Sequence, residues 1–220
     1  MSTRPEPQIP ETRRRRADTI AKSQRIMDMS KQLTLTRSVL ADALAQATPA
    51  ELDFIEHWSQ AELDSRNKAK RLRLLKAAGF PADKTLADYD WSNLTMPAGW
   101  DRSQLESLGF VDRCEDLVLY GPVGAGRTHL AIAIGRAACQ AGIPVRFFTA
   151  SSLVMRLRRA KADNRLDREL AQIGKARLII LDELGYIPID EEGSRLLFQI
   201  ISDSYGTRSI IYTTNIEYSG

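Results

Sequence analysis

Long apolar runs are missing from this chain. Nowhere do about 18 apolar residues follow one another, the length a membrane-spanning helix needs, so nothing is expected to cross a bilayer. The N-terminal stretch MSTRPEPQIPETRRRRADT lacks the apolar centre of a secretory signal and reads as no targeting segment. Cysteine is scarce. Cys114 and Cys139 have no metal-type spacing, and Cys139, inside an apolar helical run, reads as a buried thiol. That usage fits a reducing cytoplasm as the expected location. Charge is not in large excess either, with a net value of +3. It is unevenly spread, however. Lys and Arg outnumber the acids over residues 1–80, while residues 81–220 are close to neutral. An anionic partner for the front part is one reading of this bias, and a solvated helix surface is the other.

What is present suits a globular α/β protein. The length of 220 residues, with 43% hydrophobic and 27% charged residues, allows one ordinary domain with an appendage. Residues 1–19 hold three prolines and the run Arg13–Arg16, and are expected to form a disordered basic tail that is solvated or touches DNA backbone. Residues 20–79 read as a small all-helical domain. In TPAELDFIEHW, Thr48 suits an N-cap, Pro49 the first helical position and Glu51 the reciprocal cap. Leu52, Ile55 and Trp58 then recur on one face, and Gly79 with Pro81 ends the helix. Its second half carries Arg66, Lys68, Lys70, Arg71, Arg73 and Lys76. Helical spacing cannot place all six on one face, but several can meet DNA phosphates while Leu72 and Leu75 pack inward. Residues 80–94 read as a linker, whose Tyr89 and Trp91 either approach a nucleotide base or pack the linker onto the second domain.

From residue 95 to 220 strands and helices alternate. Leu117–Tyr120, Val145–Thr149, LIILD at Leu178–Asp182 and IIYTT at Ile210–Thr214 read as strands. Helices are expected at about 127–141, from 153 to about 173, and after an Asp190 cap. This alternation predicts a mainly parallel sheet flanked by helices, with LIILD covered on both faces.

The chemistry is concentrated in LVLYGPVGAGRTHLAIAIG. Gly121, Gly124 and Gly126 let backbone wrap closely round a phosphate chain, and the following helix N-terminus adds to the anion cradle. Gly121, Pro122, Val123, Gly124, Ala125, Gly126, Arg127, Thr128 and His129 are therefore the candidate nucleotide-binding residues. Thr128 stands where a hydroxyl would ligate Mg2+. Asp182 ends a buried strand and is the second candidate for Mg2+, and the adjacent Glu183 would polarise an attacking water. Asn215, directly after the fourth strand, could align that water, although such a residue is also common in turns.

LYGPVGAGRTHLAIAIG, LIILDELGYIPID, LLFQIISDSYGTRSIIYTTN and AAGFPADKTLADYDW together resemble the IstB family, AAA+ ATP-binding helpers of IstA/IstB-type insertion sequences. The resemblance runs from about Thr34 to the last residue. It implies a P-loop AAA+ fold, ATP and Mg2+ as cofactors, ATP-dependent self-association on double-stranded DNA, and presentation of target DNA to an IstA-type transposase. By the same match Gly121–Thr128 is the nucleotide loop, Asp182 and Glu183 the Walker B pair and Asn215 sensor 1. DELGYIPID separates the chain from DnaC-type helicase loaders, the alternative assignment within this group.

The chain departs from the family at two points. Arg127 stands where such loops carry lysine, and a planar fork does not replace a compact point charge at a tight site. The sequence also reaches its last residue at TTNIEYSG, whereas the family continues into a last strand, an arginine finger and a sensor 2 arginine. Without that strand the first strand, Leu117–Tyr120, is expected to be a sheet edge. Both departures lead to an expectation of slow hydrolysis, with a nucleotide-gated DNA-binding module as the alternative function.

Overall fold

The computed structural model describes residues 11–185 and 188–215. Contacts divide the chain into two compact units at Ala69/Lys70. The boundary thus falls within a helix, ahead of the position 79 expected from the sequence.

The first unit contains α1 (Glu11–Leu33), α2 (Arg37–Gln46) and the first two thirds of α3 (Pro49–Ala78). Ile26, Leu44 and Leu52 form its buried centre, with Met27, Leu40 and Ile55 packed against them. The α3 start behaves as its sequence requires. Thr48 N–H donates to Glu51 Oε2 at 2.7 Å, and Glu51 N–H donates to Thr48 Oγ1 at 3.4 Å. This reciprocal cap satisfies two donors that have no partner within the helix.

Three expectations need correction here. Residues 11–19, expected in a disordered tail, begin α1 instead. Pro5, Pro7 and Pro10 all precede Glu11, and from there to Leu33 the sequence has neither proline nor glycine and is rich in helix formers. Residues 1–10 lie outside the described residues. Trp58 is half exposed; the buried stripe of α3 runs through Leu52, Ser59 and Leu63. Leu72 is likewise 58% exposed, and Leu74, Leu75 and Ala78 face the core in its place. Leu52, Ile55 and Leu75 face inward as expected, and only Trp58 and Leu72 fall off the buried stripe.

The second unit is an α/β layer structure. A 3-10 turn (Trp91–Asn93), α4 (Arg102–Glu106) and α5 (Gly109–Asp112) precede β1 (Leu117–Tyr120). Then come α6 (Arg127–Gln140), β2 (Val145–Thr149), α7 (Ala150–Ala162), α8 (Leu166–Ile173), β3 (Leu178–Leu184), α9 (Glu191–Ser204) and β4 (Ser209–Thr214). The four described strands are parallel in the order β1-β4-β3-β2. Both sheet faces are covered. Leu178 and Ile180 of β3 point into one cluster with Leu130 and Ile134 of α6, while Ile179 and Leu181 point into another with Leu153, Leu157 and Ile200. This two-sided burial explains the unbroken apolar run in β3. Among the described strands β1 is an edge, with Val118 and Tyr120 more than half exposed.

The expected helix over 153–173 is two helices. Asn164 adopts a left-handed conformation at φ 54° and breaks the run, a backbone state that asparagine tolerates better than most residues. Of the two readings of residues 80–94, packing is the one observed: Phe80, Leu86, Tyr89, Trp91 and Leu94 lie against the second unit's core. Cys139 is buried, and burial pushes its thiol up to about 11, so it stays protonated at neutral pH. Among the described residues no helix is long and apolar enough to cross a membrane.

Candidate nucleotide site

The loop 121–126 leaves the C-terminal end of β1 and runs directly into α6, whose first-turn amides have no partner within the helix. Gly124 and Gly126 hold φ of 87° and 80°, a region closed to most side chains. Gly126 has a second constraint: a Cβ there would meet Tyr89 Cε2 at 3.1 Å. Tyr89 therefore packs directly on the loop, and its ring meets His129 edge-on at 5.4 Å.

Two strands away from β1, β3 brings Asp182 to the loop. Thr128 Oγ1 donates to Asp182 Oδ1 at 2.8 Å, and Thr213 Oγ1 donates to the same oxygen. Asp182 is only 4% exposed and forms no ion pair among the described residues. The backbone at this point is irregular. Pairing of β3 with β4 shifts register between Leu181 and Leu184, and Glu183 sits at φ 58°. For a glutamate this is a strained state, held by the Glu183 N–H donating to Thr213 Oγ1 at 3.0 Å. The irregularity leaves Asp182 buried and Glu183 exposed at consecutive positions.

Thr213 thus serves both members of the acidic pair, a role that sequence reasoning does not find. The available signal is a hydroxyl at an inward position of IIYTT, two residues from buried Ile211. We expect Thr213→Val, similar in shape, to cost about 1–3 kcal/mol in urea denaturation, because a buried carboxylate loses a donor and an amide loses its acceptor. Thr213→Ser should recover most of it. An unchanged midpoint for the valine variant would show these bonds to be unimportant.

Arg127 begins α6, and its Nη1 donates to the carbonyl of Thr214 at the end of β4. The cation thereby ties the loop to the strand that precedes Asn215, which is exposed at the following bend. His129 is turned to segment 80–94 of the same unit: its Nε2 donates to the Thr85 carbonyl at 3.2 Å, which fixes the proton on that nitrogen. It anchors segment 80–94 rather than lining the loop. Pro122 and Ala125 close the loop's own turn through Ala125 N–H to the Pro122 carbonyl at 3.2 Å, and Val123 is 79% exposed at its tip. Beside the loop, along the open edge of β1, lies a cavity of about 380 Å³. Tyr89, Trp100, Leu119, Ala125 and Arg127 are among the residues lining it. All six basic residues expected to meet DNA, Arg66, Lys68, Lys70, Arg71, Arg73 and Lys76, are exposed on α3, and Arg66 is paired with Glu62 at 2.6 Å.

A glycine loop between strand and helix, facing a buried aspartate two strands across a parallel sheet, defines a P-loop domain of the AAA+ kind. A solved structure of AMPPCP-bound DnaA from Aquifex aeolicus shares this fold, with a TM-score of 0.50 and 19% identity, covering 61% of this chain and 44% of that one. The family is more particular. The model of the IstB-like ATP binding protein family matches residues 28–220, and the chain belongs to that family. It is 40% identical over 178 residues to a Pseudomonas aeruginosa protein described as a putative ATP-binding protein of insertion sequence IS21, covering 78% of this chain and 66% of that protein. It is 35% identical over 182 residues to the corresponding IS232 protein of Bacillus thuringiensis subsp. berliner, covering 81% and 73%. The chain spans about two thirds of the first relative's length.

Proposed function

We propose that the chain binds ATP with Mg2+ and in that state self-associates on double-stranded DNA, helping an IstA-type transposase engage its target. The observation that carries this reading is the meeting of the glycine loop, Thr128 and buried Asp182 at the C-terminal end of the parallel sheet, where open α/β sheets bind ligands. The loop amides and Arg127 would hold the phosphates. Thr128 and Asp182 would hold Mg2+, whose charge offsets that developing on the phosphoryl oxygens. The residues fit such an ion. Asp182 is a buried carboxylate with hydroxyl donors and no cation among the described residues. Glu183 would orient water and Asn215 would align it. The cavity beside the loop, lined by Tyr89, Trp100 and Leu119 together with the polar Asp116 and Arg127, is large enough for a base.

The DNA part rests on the exposed cations of α3 and is tested by salt. We expect the affinity of the chain for duplex DNA, with ATP and Mg2+ present, to fall linearly on logarithmic axes as NaCl rises. Replacing Arg71 and Arg73 together by alanine should reduce the slope by about 0.9 for each phosphate that is no longer neutralised. An unchanged slope would place the DNA surface elsewhere. Duplex should also outcompete single strands; the reverse preference would indicate a helicase-loader function. A second reading, nucleotide-gated DNA binding without turnover, is favoured by one contact, Arg127 to the Thr214 carbonyl, which directs the loop's cation towards β4.

A further inference from the structure

On the sheet face opposite α6, helices α7 and α8 enclose an open groove of about 400 Å³ in which four arginines meet. Arg156 and Arg159 stand one turn apart on α7, Arg165 precedes α8, and Arg168 lies in its first turn. All four are exposed. Arg156 is held by Glu169 at 2.5 Å and lies over the Phe148 ring at 5.6 Å, and Arg165 pairs with Asp163. Arg159 and Arg168 have no acidic partner among the described residues. Two uncompensated guanidinium groups thus share one groove with two more. Glu169 and Asp163 offset two of the four charges, and the other two leave the groove with a positive potential that favours an anionic partner.

Nothing in the groove would anchor an apolar partner. Its remaining lining is Ala160, Glu169 and Gln172, whereas protein interfaces depend on aromatic or large aliphatic anchors. Guanidinium forks, by contrast, match phosphate oxygens in pairs. None of the groove's lining residues belongs to the nucleotide loop or to the basic set of α3.

We propose that the α7–α8 groove is a second contact for the phosphate backbone of duplex DNA, independent of base sequence. The proposal rests on the DNA-binding reading above. It is tested on the full chain with ATP and Mg2+ by titrating a labelled duplex across a NaCl series. Three proteins are compared: the native chain, Arg159→Gln with Arg168→Gln, and Arg159→Lys with Arg168→Lys, each checked for an unchanged thermal midpoint. The glutamine pair should weaken binding about tenfold near 0.1 M salt and lower the salt slope by about 1–2, while the lysine pair keeps the slope because the charges remain. If the native chain binds duplex and the glutamine pair matches it in affinity and slope, the groove proposal is overturned and the DNA reading stands. A native chain that does not bind duplex at any salt overturns both.

Discussion

Arg127→Lys should raise ATP turnover about tenfold or more, while the dissociation constant for ATP changes by no more than about threefold. A tenfold gain corresponds to about 1.4 kcal/mol at the transition state. The expectation comes from where the guanidinium goes. Arg127 reaches across to donate to the Thr214 carbonyl at the end of β4. A phosphate chain in the loop would have to draw it away from that carbonyl or share it. Phosphoryl transfer relies almost wholly on positioning and charge at the γ-phosphate, so a cation divided between strand and phosphate supports binding better than it supports catalysis. Lysine is a compact point charge without the planar fork. The test is phosphate release with Mg2+ and duplex DNA, at protein concentrations high enough for assembly. Equal turnover in both proteins would show that arginine serves at this position as well as lysine does.

The second large effect concerns Glu183. In the Arg127→Lys background, Glu183→Gln should lower turnover by about 10²–10⁴, the usual worth of a positioned general base, and leave ATP binding within about threefold. The structure separates the two acids that adjoin here. Asp182 faces inward to Thr128 and Thr213, while Glu183, with its left-handed backbone held by Thr213, stays exposed. Glutamine preserves shape and backbone, so loss of turnover with retained binding would isolate the carboxylate's role. Equal loss of binding would mean that Glu183 holds nucleotide. Unaltered turnover would remove it from the chemistry.

The fold and the centre of the site are legible in the sequence because their signals are local. LVLYGPVGAGRT contains strand, loop and helix start in one short stretch, and LIILDE shows a doubly covered strand ending in acid. Thr48 and Glu51 mark a helix start through a cap that needs only neighbouring residues. Features that depend on distant contacts are not legible. The period of α3 is visible in its sequence, but which side faces inward depends on what packs there, and so periodicity alone puts Trp58 and Leu72 on the wrong face. The break at Asn164 needs a left-handed residue that asparagine permits without demanding. Thr213 and the Thr214 carbonyl reach Asp182 and Arg127 only because β4 lies between β1 and β3. His129, adjacent to the loop in sequence, is claimed by Thr85 through tertiary packing. The α7–α8 groove is invisible in the sequence for the same reason, since its arginines converge only once the helix breaks.

If ATP held at the loop controls assembly on DNA, as proposed, nucleotide should decide whether the chain sediments with duplex DNA. The measurement is sedimentation of the chain and duplex together, with and without ATP and Mg2+, alongside Thr128→Ala combined with Asp182→Asn. Large protein–DNA assemblies are expected only when the native chain is given ATP and Mg2+, and none for the double variant. Assemblies of the same size without nucleotide, or from the double variant, would contradict ATP control.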